Sequence, residues 1–193
     1  MRRATVERAT RETQIAVELE LDGTGEAQLE TGLPFFDHLL SQVARHGLFD
    51  LKVTARGDLA VDGHHTVEDT GLALGQAFAQ ALGEKRGIRR YGEAAAPLDE
   101  ALARVVLDLS GRPFLALKAE FPQLMVGTFD TALVAEFLRA FTTTGGITLH
   151  AEATGANSHH VAEALFKALG RALDAATRVD PRVSGIPSTK GRL

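Results

Sequence analysis

Apolar positions along the chain follow two periods. Ile15, Val17, Leu19 and Leu21 are separated by single, mostly polar residues, the spacing of a strand with one buried face. Residues 4–8 before them read as a partner strand, with Glu12 in or near the connecting turn. Pro34 suits the first turn of a helix that runs to about Gly47, where glycine is a natural stop. Leu51, Val53 and Ala55 alternate again and end at Gly57, and a helix follows from about His64 to Gly83. The same order then recurs: strands around 105–109 and 114–121, a helix from about Asp130 to Thr144, a strand around 147–153, and a helix from Ser158 to about Val179. Strands followed by helices, twice over, predict an α+β fold whose helices share the interior between two outer sheets.

The recurrence is an internal duplication. Ala73-Leu74-Gly75 stands 95 residues before Ala168-Leu169-Gly170, and Val67, Leu74 and Phe78 fall on Ala162, Leu169 and Leu173. Upstream the offset is 98: residues 51–57 align with 149–155, and Gly47 with Gly145. The three-residue difference falls between Gly57 and His64, where the first half carries the longer loop. The expected organisation is a first half over 1–88, a second over 89–180 and a tail over 181–193.

Composition narrows the class without deciding it. A hydrophobic content of 45% in 193 residues supports a real core, and a net charge of −4 argues against a general nucleic-acid binder. No apolar run approaches a membrane span and the start lacks the apolar core of a signal peptide, so cytoplasm is the expected location. With no cysteine, disulfides and thiolate zinc sites are excluded.

The chemistry sits in a motif written once in each half, His64-His65-Thr66-Val67-Glu68 and His159-His160-Val161-Ala162-Glu163. One copy would pass as a solvated helix face; two at matching places form a ligand inventory suited to Mn, Fe, Zn or Ni. His64 and Glu68 are four apart and stack on one helix face, as do His159 and Glu163. His65 and His160 lie about 100° round the helix and would serve a different ion or a neighbouring chain. Ser158 is the expected N-cap, and the positive end of the helix dipole helps keep the following imidazoles neutral, as ligation requires. At offset 98, His38 falls on Glu136, which adds one further potential ligand per half. The eight candidates, His38, His64, His65, Glu68, Glu136, His159, His160 and Glu163, could hold two ions with positions left open for substrate.

Several separated stretches resemble imidazoleglycerol-phosphate dehydratase: Phe35-Phe36-Asp37-His38-Leu39-Leu40, residues 62–71, Asp108-Leu109-Ser110-Gly111-Arg112-Pro113, the second histidine motif, and Ser188-Thr189-Lys190-Gly191. The resemblance covers essentially the whole chain. It implies a duplicated unit of four strands and two helices (ribosomal protein S5 domain 2-like), two manganese ions per active site, and a homo-oligomeric shell of 24 subunits with sites between subunits. It implies that all eight candidates are ligands and that Glu12, His46, Arg90, Arg112, Lys167, Ser188 and Lys190 contact substrate, with Thr189 beside them. Glutamate at 136, where many relatives carry histidine, makes the two metal sites less alike. The arginines also make sense on chemical grounds, because a guanidinium holds a phosphate bidentately. The tail, having no periodicity, reads as disordered unless ligand or assembly fixes it.

The reading is dehydration of imidazole-glycerol phosphate to imidazole-acetol phosphate, with metals stabilising the substrate's imidazolate and Glu12 and His46 handling protons. Two rivals use the same ligands: a dimetal phosphate-ester hydrolase, and a non-catalytic metal-binding assembly.

Overall fold

A computed structural model describes residues 2–193. The first half contains β1 (Arg3–Ala9), β2 (Thr13–Glu20), β3 (Ala27–Glu30), α1 (Pro34–Gly47), β4 (Asp50–Gly57) and α2 (His64–Leu82). The second contains β5 (Tyr91–Leu98), β6 (Ala101–Asp108), β7 (Phe114–Ala119), a small hairpin of β8 (Met125–Val126) and β9 (Phe129–Asp130), α3 (Leu133–Gly145), β10 (Thr148–Thr154) and α4 (Ser158–Thr177). The sheets run β1-β2-β4-β3 and β5-β6-β10-β7, the same order in each half, with the last strand parallel to its neighbour and the others antiparallel.

The predicted elements exist, with local differences. The strands Ala27–Glu30 and Tyr91–Leu98 escape periodicity: the first is only four residues long, and the second is an alanine-rich run with little intrinsic strand preference. Helix α3 begins at Leu133 rather than Asp130, because Asp130 is paired with Met125 across the small hairpin. Helix α4 ends at Thr177, short of Val179, which instead forms an isolated bridge with Ile88. Its N-cap is Asn157 and not Ser158: the Asn157 side chain accepts from His159 N at 2.9 Å, while the Ser158 hydroxyl is engaged by the backbone of Gln123. Asp62, 95 residues before Asn157, accepts from His64 N at 2.8 Å, so both histidine pairs enter their helices under the same device.

The helices pack between the sheets, and each close pair takes one helix from each half: α1 with α4, and α2 with α3. Two glycines related by the repeat make this possible. A Cβ on Gly75 would lie 2.4 Å from Phe141 O, and one on Gly170 would lie 2.7 Å from Val43 O. Val43 and Phe141 are themselves 98 residues apart, so the two crossings are copies of each other. Buried phenylalanines fill the shared layer, with Phe137 ringed by Phe36, Phe141 and Phe166 at 5.4–6.0 Å.

Candidate metal centre and anion cleft

The exchange of helices between halves decides which ligands meet. His38 stands one turn into α1, and α1 lies on α4, whose first two turns carry His159 and Glu163. His38 Nε2 is 3.2 Å and His159 Nε2 3.1 Å from Glu163 Oε2, and one donor atom from each of the three residues lies within 4.8 Å of the others. Phe35 lies against both rings, 4.9 Å from His159 and 6.1 Å from His38. His38 Nε2 is buried without a hydrogen-bond partner, although the Glu163 oxygen is near. A buried nitrogen left unpaired beside a carboxylate and a second imidazole suits a bound divalent cation.

Glu163 is anionic for local reasons. Burial pushes its pKa up, but the Lys167 ammonium, 2.7 Å from Oε1, and the His38 ring outweigh that and hold it at about 2.

No second group of three potential ligands comes together among the described residues. His64 Nε2 lies 4.0 Å from Glu68 Oε2. Glu136, the counterpart of His38 on α3, faces Arg139, whose Nη1 donates to both carboxylate oxygens at 2.7 Å. Each histidine pair keeps its rings perpendicular, at 87° in the first half and 88° in the second, so His65 and His160 look away from their neighbours. His65 Nδ1 meets Asp58 Oδ2 at 3.0 Å, with Glu12 Oε2 at 3.7 Å; His160 Nδ1 meets Glu100 Oε2 at 2.7 Å. Those carboxylates raise both imidazole pKa values, and the His160 hydrogen bond holds Glu100 at about 2.

The cationic candidates gather elsewhere. Arg90, Arg112, Ser188, Thr189, Lys190 and Arg192 line a cleft of about 700 Å³. Arg90, with φ 71°, is fixed by Asp108 through Nε (2.7 Å) and Nη2 (3.0 Å), and its Nη1 donates to Pro187 O at 2.8 Å. Arg112 is largely exposed; the Ser110 hydroxyl accepts its backbone N–H at 3.1 Å and sets the turn through Gly111. The tail is held by the chain itself, through Arg90–Pro187 and Gly87 N–Gly185 O at 2.8 Å, where its lack of periodicity predicts disorder. Lys167 lies at the histidine cluster and not in this cleft. His46, in the last turn of α1, has its pKa lowered by burial and then by Lys167 and Arg171. Glu12 and His46 stand apart, one beside His65 and the other in a groove with Arg171 and Arg178.

The family model of imidazoleglycerol-phosphate dehydratase matches residues 31–173. Relatives with that name include proteins of Acidithiobacillus ferrooxidans, 59% identical over all of this chain and 98% of theirs, and Ruegeria pomeroyi, 58% identical over the whole of both. The chain belongs to the imidazoleglycerol-phosphate dehydratase family. The Staphylococcus aureus dehydratase structure matches with a TM-score of 0.83 at 37% identity, over 91% of this chain and 98% of that one. The Pyrococcus furiosus structure, in complex with (S)-C348, matches at 0.84 and 34% identity over 97% and 100%. The family's enzymes are metal-dependent hydro-lyases of histidine biosynthesis acting on a phosphorylated imidazole. No described helix is long and apolar enough to cross a membrane.

Four neighbours of the site escape the sequence reading. Asp58, Glu100 and Asn157 fall in loops or hairpin tips without periodicity. Asp108 lies inside the stretch 108–113, and its place four residues before Arg112 is the one sequence signal for its role as a partner of arginines.

Proposed function

We propose that this chain dehydrates D-erythro-imidazole-glycerol phosphate to imidazole-acetol phosphate, in sites completed between copies of the chain. The reading rests above all on the convergence of His38, His159 and Glu163 around the unpaired His38 nitrogen, with an anion cleft lined by other residues. A substrate with imidazole at one end and phosphate at the other needs both features. The absence of a shared lining residue favours pairing the cluster of one copy with the cleft of another.

His38, His159 and Glu163 would hold one divalent ion, and His64 and Glu68 on α2 with Glu136 on α3 would be the set related to it by the repeat. His65 and His160, turned away from both, are placed to complete sites with neighbouring copies. Two imidazoles and a carboxylate are compatible with manganese, the family's expected metal. A divalent cation held there would supply Lewis-acid stabilisation of negative charge on the substrate's imidazole ring, which would assist departure of the adjacent hydroxyl.

The chain's own groups do the remainder. Arg112, Ser188, Thr189 and Lys190 donate to the phosphate, with Arg90 as a wall braced by Asp108. Lys167 contacts substrate from the histidine cluster while compensating the charge of Glu163. Loss of the hydroxyl as water and of the proton on the next carbon gives an enol, which becomes the ketone. Glu12, exposed beside His65, and His46, favoured in its neutral form, are assigned the proton transfers. A homo-oligomer, as a shell of 24 subunits in the cytoplasm, fits a site shared between copies.

The test is to incubate the manganese-loaded protein with imidazole-glycerol phosphate. Ketone formation without inorganic phosphate supports the reading. Phosphate release would favour a hydrolase, and bound metal without turnover a storage protein.

A further inference from the structure

The strand registers make Glu12 and Glu100 the same position of the repeat. Gln14 pairs with Arg56 across β2 and β4, and Leu102 pairs with Thr154 across β6 and β10. Arg56 and Thr154 are related by the offset of 98, so Gln14 corresponds to Leu102 and, two residues earlier, Glu12 to Glu100. Both glutamates sit at the tip of the first hairpin of their half, beside the second histidine of its motif.

Their surroundings differ. Glu100 is fully engaged: Oε2 meets His160 Nδ1 at 2.7 Å, and Oε1 accepts from Ala156 N at 3.1 Å and Asn157 N at 2.9 Å. The Glu12 carboxylate makes no hydrogen bond among the described residues and stops 3.7 Å short of His65 Nδ1. Asp58 has taken that nitrogen, at 3.0 Å. Asp58 is the first residue of the loop 58–63, the longer one; its counterpart, 156–158, has three residues fewer and no carboxylate.

We propose that Asp58 and Glu100 are positioning residues with the same task, holding His65 and His160 by Nδ1–H so that Nε2 is presented as a metal ligand, and that the longer loop carrying Asp58 releases Glu12 from this task to act on substrate. A carboxylate on the far ring nitrogen fixes both tautomer and direction of a ligating histidine. The duplicated chain thereby obtains two oriented imidazoles and one free carboxylate from a repeat that places one glutamate at this position in each half. The proposal rests on the metal and proton-transfer roles assigned above.

Titration of the metal-free protein with manganese(II) alone, followed by the electron paramagnetic resonance of free ion, reads the metal step without turnover. Glu100→Gln should weaken binding by roughly ten- to a hundredfold. Its single amide oxygen can serve the two backbone N–H groups or His160, not both. Glu12→Gln should leave affinity unchanged while lowering kcat. Asp58→Asn should lose less affinity than Glu100→Gln, because Glu12 needs to move by less than about 1 Å to reach hydrogen-bond distance of His65. Adding Glu12→Gln to Asp58→Asn should then deepen the loss, so that Glu12→Gln, silent alone, becomes costly. Unchanged affinity in Glu100→Gln, or equal losses in Glu12→Gln and Glu100→Gln, would overturn the division of roles. Failure of the unaltered protein to bind manganese would instead overturn the metal reading beneath it.

Discussion

His38 Nε2 lies 3.2 Å from Glu163 Oε2, although the two residues come from opposite halves of a duplicated chain. The contact follows from the crossing of α1 on α4 at Gly170, where any side chain would collide with the carbonyl of Val43. One helix supplies an imidazole and the other an imidazole and a carboxylate, so the cluster depends on packing between halves as much as on the motif.

Substituting His159 by alanine should abolish turnover and lower metal content, and His64→Ala should do the same through the other half. Both should also weaken assembly, because an ion bound between copies contributes to their association. Size-exclusion chromatography with metal analysis checks this; full-sized, fully loaded assemblies of both variants would contradict the shared-site account.

Arg112→Ala should raise KM by roughly ten- to a hundredfold, the loss of a charge-assisted hydrogen bond, with metal content intact. Arg112→Lys should recover only part, since a point charge does not reproduce the guanidinium fork. Steady-state kinetics on the two variants decide.

The tail should loosen in acid. Asp180 is held below the ordinary carboxylate range by hydrogen bonds from Arg182, side chain and backbone, with Arg89 3.7 Å away. A depressed folded pKa contributes stability that is present above the ordinary value of 3.8 and is lost as pH falls below it. Hydrogen exchange at Gly87 and Val183, corrected for intrinsic rates, should therefore accelerate relative to the core as pH drops through and below that value. Asp180→Asn should show the looser tail already at neutral pH.

Much of this was legible in the sequence. The recurring offsets of 95 and 98 residues exposed the duplication, and the histidine motifs, whose spacing lies within single helices, exposed the ligand inventory. What spacing does not carry is which helix meets which: nothing in the period of α1 says that His38 faces Glu163 and not Glu68. The alanine run of β5 hid its hairpin, and with it Glu100; Asp58 lies in a loop without pattern. The tail lacks periodicity because hydrogen bonds donated to its carbonyls by the Gly87 N–H and the Arg90 guanidinium, not a buried face, hold it.

A triazole bearing a phosphonate tail should bind far better than either fragment, because linking makes the second contact effectively intramolecular. Glu12→Gln should spare that binding and depress turnover, having lost a proton-transfer group and no ligand. Calorimetry and turnover on this one variant test the role; a wild-type rate would move the proton transfer to His46 or to a metal-bound water.

The most direct test of a dehydratase site built between copies is complementation. His159→Ala damages the metal cluster and Arg112→Ala the anion cleft, each on its own copy. Co-expressed, the two variants should form mixed assemblies in which intact clusters meet intact clefts, and turnover of imidazole-glycerol phosphate should rise well above that of either variant alone. Mixed assemblies no more active than their parents would contradict the account.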